Sequence, residues 1–257
     1  MRRCFSAGGR EELGYFAIEG TRLLERAVRA QAPLASVLMS TSYANKTSER
    51  ESELLAALQK SPDLEVLILP DATIQELTGG RTYGDILALV RRSEALPLAD
   101  CLARDSSTFR PGIVCVVDAE DPGNVGALVR TALVSGSQAF VAVGKTDPYH
   151  PKAVRTSMGS LFRLPILHFE SPEALLGELS RQDVLSVGAV SQGGVPLGKL
   201  EINDQAIALF LGSEAFGLSE ALVEGLDACI TIPMAKGVDS LSINAAAAVC
   251  LYALLVK

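Results

Sequence analysis

The sequence predicts an α/β protein in which a small α/β domain precedes a larger one built on a mostly parallel sheet. Three observations predict it. Short apolar runs alternate with helical patterns along the whole chain. From residue 113 onward those runs are apolar at nearly every position, as strands covered by helices on both faces must be. Between the two alternations lies SEALPLADCLARDSSTFRPG (residues 93–112), with two prolines, several serines and no sustained periodicity.

In the first domain, strands FAIE, SVLMS, EVLIL and DILALVRR alternate with helical patterns TRLLERAVRA, SERESELLAALQK and ATIQELT. In the second, strands IVCVVD, AFVAVG, LPILHF, VLSVGAV, AIALFLG and CITIPM are separated by helices at about 125–135, 151–159, 171–182, 218–226 and 243–256. The expected division is residues 1–95, a linker at 96–112, and residues 113–257.

With 257 residues, 48% hydrophobic and without low-complexity tracts, the chain is expected to be globular. Its longest apolar run, AAAAVCLYALLV (residues 245–256), is shorter than the roughly 20 residues of a membrane span, and no charged-then-apolar leader opens the sequence. A cytoplasmic location is the expectation. Cys4, Cys101, Cys115, Cys229 and Cys250 form no C-x-x-C pair, so neither a disulfide framework nor a metal site is expected.

The net charge of −7 argues mildly against a nucleic-acid partner. Local clusters argue the other way. Arg2, Arg3, Arg10, Arg22, Arg26 and Arg29 crowd the first thirty residues, and Lys145, His150, Lys152, Arg155 and Arg163 crowd a later segment. A solvated face is the ordinary explanation of such clusters.

Ligands of open parallel sheets bind at the carboxyl ends of the strands, where three loops stand out. None carries the G-x-G-x-x-G or G-x-x-x-x-G-K-[ST] fingerprint, which disfavours a standard dinucleotide or P-loop enzyme. In DPGNVGALVR (residues 121–130), Pro122 and Gly123 suit a turn and Asn124 suits a helix N-cap. Arg130 then sits among Leu128, Val129, Ala132 and Leu133, either as a snorkelling surface residue or aimed at an anion. In LGSEAFG (residues 211–217), glycines flank Glu214 at a strand end, compatible with a simple bend or with a site. In IPMAKGVDSLSIN (residues 232–244), an apolar strand end meets a polar loop and then an alanine-rich helix, for which tight packing is the plain account.

Together and in this order the three loops resemble the three motifs of the SpoU (TrmH-type) RNA ribose methyltransferases of the SPOUT superfamily. DPGNVGALVRTA fits D-P-x-N-x-G-x-x-x-R-T-A at every specified position, LGSEAFG fits L-G-x-E-x-x-G, and IPM with SLSIN resembles I-P-M with S-L-N-V-S. The segment PYHPKAVRTSMGSLFRLPI is similar to the family's connecting stretch. REELGYFAIEGTRLLERAV is similar to the opening of a ribosomal-protein-like RNA-binding domain that many members carry. One departure concerns the third motif, where Ser242 stands at the family's Asn position and Asn244 follows two residues later.

The resemblance implies a trefoil-knotted C-terminal domain, an exception to the rule that chains do not thread loops. It also implies S-adenosylmethionine as cofactor, a homodimer through the C-terminal half, and RNA, with ribosomal favoured over transfer RNA, as substrate. Carried over by position, cofactor contacts fall on Leu211, Gly212, Ile232, Met234 and Leu241, and catalytic roles on Asn124, Arg130, Glu214, Ser240 and Asn244. RNA contacts are assigned to Arg10, Arg22, Lys152 and Arg155. A ribose 2′-hydroxyl is a poor nucleophile, so its oxyanion must be stabilised while it is held in line with the methyl group. A guanidinium keeps its proton at neutral pH, so Arg130 is expected to stabilise charge on the 2′-oxygen and adjoining phosphate. Two other readings stay open: a catalytically idle RNA-binding member of the same fold, and an unrelated α/β enzyme acting on a small acidic metabolite.

Overall fold

The computed structural model describes residues 1–255 apart from 47, 62–63, 80–83, 95, 104–108, 204 and 238–239. Parts of the expected linker and third loop, and residue 256 of the expected last helix, therefore lie outside the described residues. The chain divides into two compact units, Met1–Glu94 with Tyr149–Phe162, and Ala95–Pro148 with Arg163–Lys257.

In the first unit the elements run α1 (Ala7–Leu13), β1 (Tyr15–Glu19), α2 (Thr21–Arg29), β2 (Leu34–Ser40), α3 (Thr41–Ala44), α4 (Glu49–Gln59), β3 (Glu65–Leu69), α5 (Asp71–Thr78) and β4 (Ile86–Arg91). The four strands make a mixed sheet of order β1-β4-β2-β3, in which only β2 and β3 run parallel. Serine starts three of the helices: Ser6, Ser40 and Ser48 accept from backbone amides three residues on. The short helices α1 and α3 have no apolar periodicity long enough to announce them in the sequence.

The second unit begins with α6 (Leu98–Leu102), whose Leu98 and Cys101 are buried in its core. This differs from the linker reading, because five residues with two buried apolar positions are too few to show a helical period. Then come β5 (Gly112–Val117), α7 (Pro122–Val134) and β6 (Ala139–Val143). The next helix, α8 (Pro151–Thr156), belongs to the first unit. There the Tyr149 ring lies 5.0 Å from that of Phe16, the Phe162 ring lies 6.4 Å from it, and Arg26 Nη1 donates to the Met158 carbonyl at 2.5 Å. The second unit continues with β7 (Ile166–Phe169), α9 (Pro172–Arg181), β8 (Leu185–Ala189), the two-residue β9 (Val195–Pro196), β10 (Ile207–Leu211), α10 (Glu220–Gly225), β11 (Ala228–Thr231) and α11 (Ile243–Leu255).

Its sheet has the order β7-β6-β5-β10-β8-β11-β9, and every pairing is parallel. Every residue of β5, β6 and β10 is buried, which accounts for their unbroken apolar sequences. One face packs Cys115, Val141 and Phe210 against Leu175 and Leu179 of α9 and Leu222 of α10. On the other, α7 and α11 lie against each other and against β5, β6 and β10. Burial raises the Cys115 thiol above the usual cysteine range and moves that of Cys250 to about 11, so both pack as small hydrophobes.

Helix α11 is apolar all round, but only half of it is covered. Ala247, Cys250, Leu251, Leu254 and Leu255 face the core, while Ala245, Ala248, Val249, Tyr252 and Ala253 form an exposed stripe at helical spacing. Among the described residues no helix is long and apolar enough to cross a membrane.

Candidate active site

The loop after β5 is shaped first by its cap. Asp121, not Asn124, caps α7: its Oδ1 accepts from the Gly123 amide at 2.8 Å, with Pro122 in the first turn. Asn124 lies three residues past that cap, inside the first turn of the helix, so its amide is available for other contacts. The strand ends are held by buried Thr146, whose hydroxyl donates to the Val116 carbonyl and accepts from the Ala119 amide, both at 3.0 Å.

The loop after β10 closes on itself. Ser213 and Gly217 exchange two main-chain hydrogen bonds of 3.2 and 2.9 Å, and Ser213 Oγ accepts from the Phe216 amide at 3.2 Å. Gly217 turns the chain with φ +68°, a conformation that favours glycine. Gly212 is required for a different reason: a Cβ there would lie 2.1 Å from the Gly217 carbonyl carbon and 2.4 Å from the Leu218 nitrogen. Its lack of a side chain serves the closure of the loop itself.

At the third loop Ser242 caps α11, its Oγ accepting from the Ala245 amide at 3.3 Å. Asn244 Nδ2 instead donates to Asn124 Oδ1 at 3.0 Å, and Asn124 Nδ2 donates to Glu214 Oε1 at 2.8 Å. Residues 90 and 120 positions apart thus form one polarised chain of hydrogen bonds that ends on a carboxylate. Asn244 Oδ1 is buried and has no hydrogen-bond partner among the described residues.

These loops border a cavity of about 760 Å³, within the range of small-molecule sites. Asn124, Leu211, Gly212, Glu214, Ile232, Met234, Ser240 and Leu241 all line it, so most of the sequence-assigned residues meet there. Asn244 reaches it through Asn124. Arg130 does not line it: it is exposed on α7, about 120° around the helix from Asn124, and makes no hydrogen bond or ion pair among the described residues. Sequence reasoning missed Ala189, Val190 and Ser191, which the end of β8 and the loop after it contribute because β8 neighbours β10, and also Phe216. The exposed aromatic of LGSEAFG was the available signal for Phe216.

The cavity suits S-adenosylmethionine. Leu211, Leu218, Ile230, Ile232, Met234 and Leu241 give apolar walls for an adenine and a thioether-like chain, and the glycine-containing loops bring main-chain groups close.

A second cavity, of about 430 Å³, lies in the first unit and is bordered by Arg22, Arg26, Lys46, Arg50 and Arg155 against Glu19 and Asp85. Lys46 bonds Asp85 at 3.2 Å, and Arg50 holds Glu25 through two 2.5 Å bonds that lower the Glu25 carboxyl below the usual range. Arg22 is exposed, and Lys152 is exposed on α8. Arg10 is a correction: it is only 3% exposed and its Nη1 donates to the Cys4 carbonyl, so it ties the N-terminal turn to α1 and offers no face to a phosphate. The cluster in the sequence concealed this because charge reveals nothing about which side chain is buried.

Residues 111–252 match the SpoU rRNA Methylase family. The chain is 27% identical over 245 residues to the 23S rRNA (guanosine(2553)-2′-O)-methyltransferase RlmP of Bacillus subtilis, covering 95% of this chain and 89% of that protein. It is likewise 27% identical over 250 residues to the 23S rRNA (uridine(2479)-2′-O)-methyltransferase of Streptomyces viridochromogenes, covering 95% and 83%. The crystal structure of the SpoU methyltransferase AviRb from that organism, in complex with AdoMet, superposes with a TM-score of 0.83 at 25% identity, covering 98% of this chain and 94% of that one. With its three motif loops gathered on one cavity at the carboxyl edge of a parallel sheet, this chain belongs to the SpoU rRNA methylase family.

Proposed function

We propose that this chain is an S-adenosylmethionine-dependent RNA ribose 2′-O-methyltransferase acting on ribosomal RNA. The observation that carries the reading is the Asn244–Asn124–Glu214 hydrogen-bond chain, which links one residue from each motif beside the cavity. It also answers the idle-member reading: although Ser242 and Asn244 are exchanged relative to the family pattern, an asparagine still joins the network. Family membership removes the small-metabolite reading.

When bound, S-adenosylmethionine supplies the methyl group carried on its sulfonium. Leu211, Ile232, Met234 and Leu241 would enclose it, with main-chain groups around Gly212 holding its polar edges. Asn124, fixed from both sides, orients the target nucleotide, and Ser240 offers a hydroxyl at the rim. Arg130 stabilises negative charge developing on the 2′-oxygen and the adjoining phosphate while the hydroxyl proton leaves to water. Because Arg130 is exposed and does not line its own cavity, it serves the site of a second copy of the chain. Val134, 74% exposed one turn along α7, and the exposed stripe of α11 with Tyr252 at 71% supply the apolar surface for that homodimer.

We further infer that the second unit forms the knotted methyltransferase domain and that the first unit, which takes in α8, forms a ribosomal-protein-like RNA-binding domain. The insertion of β10 between β5 and β8 supports the knot. The basic cavity supports the RNA role, with Arg22 and Arg155 at its border and Lys152 on the same helix as Arg155. A cytoplasmic location accompanies this substrate. The test is incorporation of labelled methyl groups into an unmodified 23S ribosomal RNA transcript, followed by mapping of alkali-resistant linkages. One 2′-O-methylated position is expected; methylation of a base, or none, refutes the reading. Arg130→Ala should lower the single-turnover rate roughly 100- to 1,000-fold, the range for loss of one preorganised oxyanion donor, with cofactor affinity unchanged.

A further inference from the structure

Among the described residues, Phe216 is the most exposed large apolar side chain of the protein, at 89%. Its exposure is built into the loop. The Ser213–Gly217 bonds, the Ser213 Oγ contact to its own amide and the Asn124 bond to neighbouring Glu214 hold the main chain on both sides. A phenyl ring has only two rotatable bonds, so little freedom remains to be lost when something packs on it.

The ring lines the same cavity as Gly212, Met234 and Ser240. Among the described residues that border this cavity, Glu214 is the only charged one, so the lining has no cation to draw in a phosphate. Apart from the Arg130 proposed to reach this site from a second copy, a nucleotide placed here must be held by uncharged groups. Every base has a π face, and an exposed aromatic beside an unpaired strand captures it by stacking. We infer that Phe216 is a stacking platform for an unpaired RNA base within one nucleotide of the methylated ribose. The inference deepens the methyltransferase reading by naming what holds the target strand at the cavity.

The test compares the full chain with Phe216→Ala, Phe216→Leu and Phe216→Trp. A short single-stranded RNA carrying 2-aminopurine reports stacking by quenching, and unmodified 23S ribosomal RNA transcript reports turnover. The wild type and the Trp variant should quench the probe. The Ala and Leu variants should lose the quench and bind RNA about five- to 150-fold more weakly, the span of one base–aromatic stack. Their KM for RNA should rise while kcat, thermal midpoint and S-adenosylmethionine affinity hold. The Leu variant is decisive because it keeps apolar area without a π face; if it matches the wild type, the inference is wrong. Loss of cofactor affinity in the Ala variant would instead assign the ring to adenine, and dissociation to monomers in sedimentation would assign it to a subunit contact. Wild-type quenching without methylation of the transcript would overturn the methyltransferase reading and leave the stacking role standing.

Discussion

Asn124→Asp is nearly isosteric, yet it should disable the cofactor site through a single 2.8 Å contact. In the native chain the Asn124 amide donates to Glu214 Oε1 and its carbonyl oxygen accepts from Asn244. An aspartate keeps the second bond and inverts the first, placing two carboxylates against each other. The lost bond to a charged acceptor is worth about 1.5–3 kcal/mol. Repulsion between unit charges at that separation adds roughly 1.5 kcal/mol in water and about 6 kcal/mol at an effective dielectric constant of 20. Glu214 is exposed, so screening favours the lower figure, and the loop should open at a total of roughly 3–4.5 kcal/mol. Since the loop borders the cavity, S-adenosylmethionine affinity should fall about 100-fold or more, with little change in the global melt. Adding Glu214→Gln restores an amide donor opposite the new carboxylate, and the double variant should recover most of the affinity. Calorimetric titration of the three proteins measures this directly. Wild-type affinity in Asn124→Asp, or a double variant no better than the single, would refute the proposed hydrogen-bond chain.

Gly212→Ala should open the same loop by steric force, because the new methyl meets backbone and not a movable side chain; a cost of about 1–3 kcal/mol is expected in a melt, with cofactor binding lost in calorimetry. Tyr252→Glu puts a charge on the exposed stripe of α11 and should leave a folded monomer in sedimentation without methyl-transfer activity. The carboxyls of Glu25 and Asp71 are held below their usual range, chiefly by side-chain bonds from Arg50 and Ser42. Their stabilisation is therefore fully present above the ordinary carboxylate range and lost as pH falls through the lowered values. Melts taken below about pH 4 should show Glu25→Gln and Asp71→Asn less acid-sensitive than the wild type.

The buried strands were legible because a strand covered on both faces must be apolar at every position, and β5, β6 and β10 write that requirement locally. The motif residues were legible as types: a loop that ends a parallel strand with Asn, Glu or Gly announces itself without knowledge of its neighbours. What each residue does was decided by tertiary structure. Asp121 and Asn124 are equally good caps by composition, and only the turn geometry gives the cap to Asp121 and frees Asn124. Arg10 and Arg22 look alike in a basic cluster, yet one is buried against a carbonyl and the other borders a cavity. The Asn124–Glu214 and Asn244–Asn124 contacts join residues 90 and 120 positions apart. They depend on β10 lying between β5 and β8, an order that long-range packing selects and no local period encodes.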